Sequence, residues 1–257
     1  MKILLVNDDG YRANGINALY KKLKLANYDV IIIAPELNSS GAGQSITVYE
    51  PITINQVSSD IYYVNGTPAD CVRLGLQEVY YNNNICPDLV ISGINMGENI
   101  GDDVFYSGTV GAAREAMFHA INSLAISTKG PEFNYLDDIA DVVIDLLKPL
   151  IEHKKDWIKP FLWNINIPNK PYNEILGYEA TKLGRLGRHK ILQKQQTPRG
   201  NTIFWQGESS LPPEFELGTD IDVYLKQEKV SITPLELLPT DYIQLPVIDA
   251  IYANTKK

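Results

Sequence analysis

The sequence predicts an α/β protein built on a mainly parallel sheet. Short apolar runs typical of buried strands alternate with stretches whose apolar residues recur at helical spacing. Polar or glycine-rich segments follow directly after several of these runs, as they do at the carboxyl ends of parallel strands. A chain of 257 residues is long enough to bury one large core. We therefore expect a sheet flanked by helices over residues 1–175.

The predicted elements follow one another in an order typical of repeated βα units. The strand-like runs are residues 3–6, 30–34, 61–64, 89–92, 124–127 and 163–167. The helical stretches are residues 15–25, 69–80, 110–122 and 136–150. Such alternation favours parallel neighbours joined by crossover helices.

The pattern changes after about residue 170. Residues 177–207 combine glycines, a proline and basic residues with short alternating runs, which predicts hairpins rather than further βα units. Residues 230–235 predict a late strand, and residues 241–254 a terminal helix with an early Pro246. We expect residues 176–257 to form a C-terminal extension that projects from the core.

Composition excludes several classes of partner. The net charge is -8 and no cluster of Lys or Arg stands out, so a polymeric nucleic acid is not an expected partner. No apolar run predicts a signal peptide or a membrane span, so we expect a cytoplasmic protein with no membrane partner. Two Cys and three His residues, none paired at ligand spacing, argue against zinc.

Two adjacent carboxylates follow the first predicted strand. Asp8 and Asp9 stand directly after the run 3–6, and open α/β sheets bind ligands beyond the carboxyl ends of their strands. Two carboxylates about 4 Å apart repel by about 4 kcal/mol at an effective dielectric constant of about 20, so a hard divalent cation would relieve them. The alternative is a solvated acidic turn in which one carboxylate caps the next helix.

Two later loops carry oxygen donors beside small residues. Residues 34–47 let the backbone approach a ligand closely and offer hydroxyls to a phosphate or a hard metal, although a surface turn is the commoner interpretation. In residues 92–103, the amide oxygen of Asn95 suits Mg²⁺ or Mn²⁺ beside carboxylates. A plain Gly/Asn turn is the alternative there, but the shared sheet end with Asp8 favours a ligand site.

Residues 106–109 lead straight into the third predicted helix. Unpaired backbone donors and the hydroxyls of Ser107 and Thr109 would form an anion site at its start, or one of these residues is simply the N-cap. Thr67 and Asp70 are interpreted as caps of the second helix, and His119 as a packed or surface residue. The glycine signatures of nicotinamide dehydrogenases, P-loop NTPases and α/β-hydrolases are missing.

These segments together resemble the SurE family, the stationary-phase survival proteins that act as metal-dependent nucleoside monophosphate phosphatases. The matching motifs are LVNDDG at 5–10, AP, SG and SIT within 34–47, GTPADCV at 66–72, SGIN to GDD within 92–103, YSGTV at 106–110, NINIP at 164–168, PRGNT at 198–202, GTD at 218–220 and VSITPL at 230–235. Each motif is weak alone, but their number and order make the resemblance specific.

The resemblance implies roles for individual residues. It places one divalent metal ion per subunit, Mg²⁺ or Mn²⁺, on Asp8, Asp9, Ser40 and Asn95. It places the phosphate group near Gly43, Ser45, Asn99, Ser107, Gly108 and Thr109. It also implies a Rossmann-like three-layer core and a C-terminal hairpin arm that is exchanged in a homodimer or homotetramer.

The expected activity is therefore hydrolysis of nucleoside 5′-monophosphates, and of 3′-monophosphates as a further substrate class, with Asp8 and Asp9 as catalytic residues. Water attack and an aspartyl-phosphate intermediate both remain open. A non-catalytic nucleotide- or metal-responsive binding protein is the alternative. Asn14 stands where the family usually has Pro and Arg12 where His is frequent, which affects the expected base preference rather than the metal site.

Overall fold

The computed structural model describes residues 1–129, 134–186, 190–209 and 215–252. Its strands are β1 (Lys2–Val6), β2 (Asp29–Pro35), β3 (Ile54–Ser58), β4 (Ile61–Val64), β5 (Leu89–Met96), β6 (Ser123–Thr128), β7 (Leu162–Asn166), β8 (Tyr178–Ala180), β9 (Lys190–Gln196), β10 (Thr202–Ser209) and β11 (Val230–Leu235). Its α-helices are α1 (Asn14–Leu25), α2 (Pro68–Leu74), α3 (Gly108–Phe118), α4 (Leu136–Glu152) and α5 (Leu245–Tyr252).

Nine of these strands form one sheet in the order β3-β4-β2-β1-β5-β6-β7-β11-β8. The six strands from β4 to β7 are mutually parallel, whereas β3 pairs antiparallel with β4 and β11 pairs antiparallel with β7. The predicted parallel sheet is confirmed, and all six predicted core strands are present. The edge strand β3 was not predicted, because its sequence INQVS carries little of the apolar signal that marks the central strands. The hairpin prediction for residues 177–207 is wrong for β8, which pairs parallel with β11 in the large sheet.

The apolar run of β1 explains why it lies in the middle of the sheet. Ile3 and Leu5 pack on one face with residues of α1 and α4, while Leu4 and Val6 pack on the other with residues of α2 and α3. All four side chains are fully buried. A strand covered on both faces needs apolar residues at every position, so a continuous run rather than an alternating one is observed. The result is the expected three-layer, Rossmann-like core.

The predicted helices are confirmed with changes at their ends. The second prediction, residues 69–80, is α2 followed by a π-helical turn, Gly75–Tyr80. The third prediction, residues 110–122, is wrong at both ends, because α3 begins at Gly108 and stops at Phe118, shortly before Ala120 takes a positive φ of 57°. The terminal helix begins at Leu245 rather than residue 241, and residues 253–254 of that prediction lie outside the described part.

The strand order reverses between β1 and β5. From β1 the chain builds outward through β2 and β4, then returns to pair β5 on the other side of β1 and continues through β6 and β7. Such a reversal leaves a crevice at the carboxyl ends of the two strands, which is where open α/β sheets bind ligands. Asp8, Asp9 and Asn95 all stand at this reversal.

The C-terminal part contributes both to the large sheet and outside it. β8 and β11 extend the sheet beyond β7, so the sheet continues across the predicted domain boundary at residue 175, which itself stays a prediction. β9 and β10 pair antiparallel with each other in a separate two-stranded sheet. Residues 187–189 and 210–214 of the predicted extension lie outside the described part. In the ranges that are described, none of the helices has the length and apolar character required to span a membrane.

Candidate active site

The turn after β1 is closed by the side chain of Asn7. Its Nδ2 donates to the carbonyl oxygen of Gly10 at 2.9 Å, and the backbone N–H of Gly10 donates to its Oδ1 at 3.2 Å. Asn7 is fully buried, so the two bonds are shielded from water. These two hydrogen bonds hold Asp8 and Asp9 at the end of the strand. Sequence reasoning assigned no role to Asn7, although an Asx-type turn before Gly is a recognisable local signal.

Asp8 lies at the start of α3. The hydroxyl Oγ1 of Thr109 donates to Oδ1 of Asp8 at 2.6 Å. Backbone N–H groups of Gly108 and Thr109 also donate to this carboxylate, and a Cβ on Gly108 would lie only 2.8 Å from the Asp8 Cβ. Burial raises the pKa of Asp8 and is the dominant cause, while these hydrogen bonds lower it. The start of α3 therefore fixes the carboxylate of Asp8 in place.

Asp9 lies beside Asp8 and is less deeply buried. The backbone N–H of Met96 and Nδ2 of Asn38 each lie 3.4 Å from one of its carboxylate oxygens, which are long contacts. Burial raises the pKa of Asp9, and the neighbouring charge of Asp8 raises it further. Within the described ranges, neither carboxylate forms an ion pair with a basic side chain. Two adjacent, poorly solvated carboxylates without a cation fit a divalent metal ion.

The loop that carries Ser40 begins against Asp8. The backbone N–H of Ser39 donates to the carbonyl oxygen of Asp8 at 2.7 Å, and the N–H of Ser40 donates to Oδ1 of Asn38 at 2.8 Å. The hydroxyl of Ser39 donates weakly to the carbonyl of Leu37 at 3.4 Å. The Ser40 side chain is exposed. The structure thus brings the predicted loop to the acid pair and leaves the Ser40 hydroxyl at its surface.

Asn95 ends β5 on the other side of the acid pair. Its Nδ2 donates to the carbonyl oxygen of Gly97 at 2.7 Å, which orients the amide and leaves Oδ1 as the atom available to a ligand. The next residue, Met96, supplies the N–H that contacts Asp9. The carboxyl ends of β1 and β5 therefore bring together Asp8, Asp9, Asn95 and the loop that carries Ser40, as the sheet topology predicts. We call this edge of the sheet the rim.

Asn99 is held by a buried polar cluster that sequence reasoning missed. Its backbone N–H donates to Oδ1 of Asn166 at 2.9 Å, and its carbonyl accepts from Nδ2 of Asn164 and of Asn166. Its side-chain Nδ2 donates to Oγ of Ser127 at 2.8 Å. Asn164 and Asn166 alternate on β7, so they point to the same face, which was the available sequence signal. This cluster fixes the loop after β5.

The remaining predicted site residues take separate places. The Ser107 hydroxyl accepts from the N–H of Val110 at 3.0 Å, so the N-cap interpretation is confirmed for Ser107. The N–H of Gly43 donates to the carbonyl of Tyr106 at 3.0 Å, which places Gly43 next to the start of α3. The Ser45 side chain is exposed, and its carbonyl accepts from the Thr67 hydroxyl at 2.6 Å. Their contacts with a phosphate group stay predictions.

The chemistry of the donor set suits a hard cation. The candidate ligands offer two carboxylates, one hydroxyl and one amide oxygen, which are donors that Mg²⁺ and Mn²⁺ prefer. No cluster of three or more His, Cys, Asp or Glu residues at metal-binding distance occurs in the part of the chain that the structure describes. A metal at this rim would therefore depend on Ser40 and Asn95 to complete the two carboxylates.

Fold and site define the class of protein: a Rossmann-like α/β protein with an acidic, oxygen-donor site at the reversal of its strand order. The sequence profile described as "Survival protein SurE" matches residues 3–190. The chain therefore belongs to the SurE family.

Individual relatives agree over nearly the full length. The chain is 42% identical over 245 residues to "5′-nucleotidase SurE" of Nitrosomonas eutropha, which covers 95% of this chain and 96% of that protein. It is 40% identical over 246 residues to the protein of the same name from Methylobacillus flagellatus, with 95% and 96% coverage. The crystal structure of the SurE protein from Aquifex aeolicus matches with a TM-score of 0.84 and 38% identity, over 98% of this chain and 99% of that one.

Proposed function

We propose that this protein is a divalent-metal-dependent phosphomonoesterase that hydrolyses nucleoside 5′-monophosphates, and also 3′-monophosphates, to nucleoside and phosphate. The observation that carries the proposal is the buried Asp8 beside Asp9 at the strand-order reversal, without a basic partner in the described residues. Relatives named 5′-nucleotidase support the substrate class. The 3′ activity and the metal dependence go beyond those names.

One Mg²⁺ or Mn²⁺ ion per subunit would be held by Asp8, Asp9, Ser40 and Asn95. When bound, such an ion polarises a phosphate oxygen and lowers the pKa of a water molecule. Thr109 fixes the orientation of Asp8 through the 2.6 Å hydrogen bond, so Asp8 serves as a rigid ligand. The amide of Asn95 is oriented in the same way by the carbonyl of Gly97.

Asp9 is the carboxylate suited to proton transfer. It is more exposed than Asp8, and its raised pKa makes it a better proton acceptor than an ordinary surface carboxylate. In the proposed reaction Asp9 orients the attacking water and accepts its proton. The phosphate is positioned by the small residues and amides of the rim: Gly43, Ser45, Asn99, Ser107, Gly108 and Thr109. Direct attack by Asp9 on phosphorus is the competing route, since Asp8 is only 3% exposed.

We also propose assembly into a homodimer or homotetramer through the C-terminal extension. Large apolar side chains are exposed on the hairpin and on α5: Leu192, Phe204, Trp205, Leu245, Ile248 and Ile251. Large apolar side chains exposed on two elements of the same extension support an interaction surface there. A second copy of the same chain is the proposed partner.

The proposed location is the cytoplasm. Cys71 is buried and Cys86 is exposed, and both are free thiols, which suits a reducing compartment. The net charge of -8 does not favour a polymeric nucleic acid as partner, and we propose no membrane partner.

Phosphate release from a panel of 5′- and 3′-nucleoside monophosphates, with Mg²⁺, Mn²⁺ or EDTA, tests the function. Release that requires metal is the expected result. Acid quenching at substrate saturation separates the two routes, because only attack by Asp9 traps phosphate on the protein. Tight nucleotide binding without phosphate release under either metal would overturn the proposal in favour of a non-catalytic binding protein.

A further inference from the structure

The loop of residues 39–47 carries three of the proposed site residues and contacts both α2 and α3. Two buried carboxylates, Asp70 on α2 and Glu115 on α3, contact it from the two helices, and neither belongs to the proposed metal or phosphate site. Burying a carboxylate is costly unless its oxygens are hydrogen-bonded. Their partners therefore indicate what these two side chains hold in place.

Asp70 does more than cap its own helix. It is 1% exposed and forms the capping box of α2 with Thr67, whose backbone N–H donates to Oδ2 at 3.0 Å. The same carboxylate also accepts from the hydroxyl of Thr47 at 2.7 Å and from the backbone N–H of Thr47 at 3.1 Å and 3.2 Å. A capping box requires no partner outside the helix start. The bonds to Thr47 therefore tie the end of the loop to α2.

Glu115 holds the middle of the loop against α3. It is 9% exposed, and its Oε2 accepts from Nε2 of Gln44 at 3.1 Å. Its Oε1 lies 3.8 Å from Nε of Arg73 and 3.5 Å from Nε2 of His119. Beside this contact, a Cβ on Gly111 would lie 2.2 Å from the carbonyl oxygen of Gly43, so only glycine allows the loop to approach the helix this closely.

A short chain of backbone hydrogen bonds connects these anchors to the acid pair. Ser45 donates to the carbonyl of Ala42, Ala42 donates to the carbonyl of Ser39, and Ser39 donates to the carbonyl of Asp8. The exposed Ser40 lies within this chain, and its side chain takes part in none of the hydrogen bonds seen among the described residues. The position of its hydroxyl is therefore set by the backbone of the loop.

We propose that Asp70 and Glu115 are positioning residues, which clamp residues 39–47 against α2 and α3 so that Ser40 faces Asp8 and Asp9. This inference rests on the proposed function. The two carboxylates of the clamp would act without touching metal or substrate. Outer partners that orient a metal ligand typically contribute about 10- to 100-fold to metal affinity or activity.

Substitutions on the loop side test the clamp without disturbing the helix caps. Thr47→Val keeps the shape of the side chain and removes the hydroxyl that donates to Asp70, and Gln44→Met removes the donor to Glu115. We expect each variant to bind Mn²⁺ about tenfold more weakly than the wild type by calorimetry of the metal-free protein. We also expect kcat at saturating Mn²⁺ to change less than the affinity. Thr47→Ser restores the hydroxyl and should restore the affinity.

Thr53→Val is the matched control. The Thr53 hydroxyl donates to Oδ1 of Asn65 at 3.1 Å, so this variant loses an equivalent bond away from the clamp, and its Mn²⁺ affinity should stay unchanged. Mn²⁺ binding by Thr47→Val and Gln44→Met equal to that of the wild type would overturn the clamp. So would Thr47→Ser binding as weakly as Thr47→Val.

The outcome also separates the clamp from the proposed function. If the wild type neither binds Mn²⁺ nor releases phosphate, the proposed function fails, and amide hydrogen exchange decides about the clamp alone. Faster exchange at Gly43 and Ser45 in Thr47→Val than in Thr53→Val would then support a clamp on the loop. Equal exchange in the two variants would overturn it.

Discussion

The rim of the sheet and the C-terminal extension differ in how far their side chains find partners within the chain. At the rim, Asp8 and Asn99 are buried and partnered within the chain, by Thr109 and Asn166. In the extension, apolar side chains such as Trp205 and Ile248 are 59% and 50% exposed. These rim residues find their partners in the same chain, whereas the exposed apolar surface of the extension is the reason for proposing a second copy as its partner.

The largest effect is expected at the rim. Asp8→Asn removes one charged ligand while Thr109 can still donate to the amide oxygen, so the fold should persist. Phosphate release should fall by more than about 100-fold, since the outer partners of a metal ligand alone contribute about 10- to 100-fold. Phosphate release assays measure the activity, and circular dichroism shows whether the variant is folded. Full turnover by a folded Asp8→Asn protein would show that the rim is not the site.

A smaller effect at the rim is expected for Thr109→Val. The change keeps the shape of the side chain but removes the donor to Asp8, so the carboxylate loses its fixed orientation. We expect phosphate release to fall by about 10- to 100-fold, with a parallel loss of Mn²⁺ affinity. Thr53→Val is the control, because it removes a hydroxyl donor to Asn65 that lies outside the proposed site, and its activity should stay unchanged. Equal activity in Thr109→Val and the wild type would contradict the role of Thr109.

We expect charged substitutions in the extension to change the oligomeric state of the protein and not its phosphatase activity. The double variant Leu245→Glu with Ile248→Glu places charges on the exposed face of α5, where burial of each apolar side chain contributes about 1.5–3 kcal/mol. Light scattering should show a smaller assembly, with phosphate release per subunit changed by less than about twofold. Asp249→Asn on the same helix is the control. A wild type that is already monomeric would contradict the assembly proposal.

The smallest effect is expected at Asp220, where the two regions meet. This carboxylate accepts from the N–H of Gly101 at 2.7 Å and from the N–H of Gly184 at 2.8 Å, so it joins the loop after β5 to the extension. Asp220→Asn replaces one acceptor oxygen by a donor and should cost about 1–3 kcal/mol in the free energy of unfolding.

The pH dependence of that loss follows from the direction of the pKa shift. Burial raises the pKa of Asp220 despite its backbone hydrogen bonds. A carboxyl group whose pKa is higher in the folded than in the unfolded state contributes fully to stability below the unfolded-state pKa. This contribution is lost as the pH rises through the folded-state pKa. Urea unfolding should therefore show a larger cost for Asp220→Asn at about pH 4 than at about pH 7.

Asp60 is the control for that trend. The hydrogen bond from Lys24 is the main cause that lowers the pKa of Asp60, so its contribution is present above the unfolded-state pKa and is lost on acidification. The cost of Asp60→Asn should therefore be larger at about pH 7 than at about pH 4. The same trend in both variants would contradict the assignment for Asp220.

Local patterns predicted much of the fold and some local contacts near the candidate site. The run of β1, the acid pair after it and the N-cap at Ser107 are each set by residues within a few positions of one another. The same was true of the capping box at Thr67 and Asp70, although its second function in binding Thr47 was missed. The ends of the helices were predicted less well, because a single residue with positive φ, as at Ala120, can end a helix without any change in the apolar pattern.

The sequence by itself determined the buried central strand, the placement of Asp8 and Asp9 at its carboxyl end, and the alternation that makes the sheet parallel. Only the tertiary structure decided that Thr109, 101 residues away along the chain, would donate to Asp8, and that Asn164 and Asn166 would hold Asn99. The physical reason is range. Strand and cap signals come from neighbouring residues and recur with a fixed period, whereas a hydrogen bond between distant residues depends on how the packed elements meet.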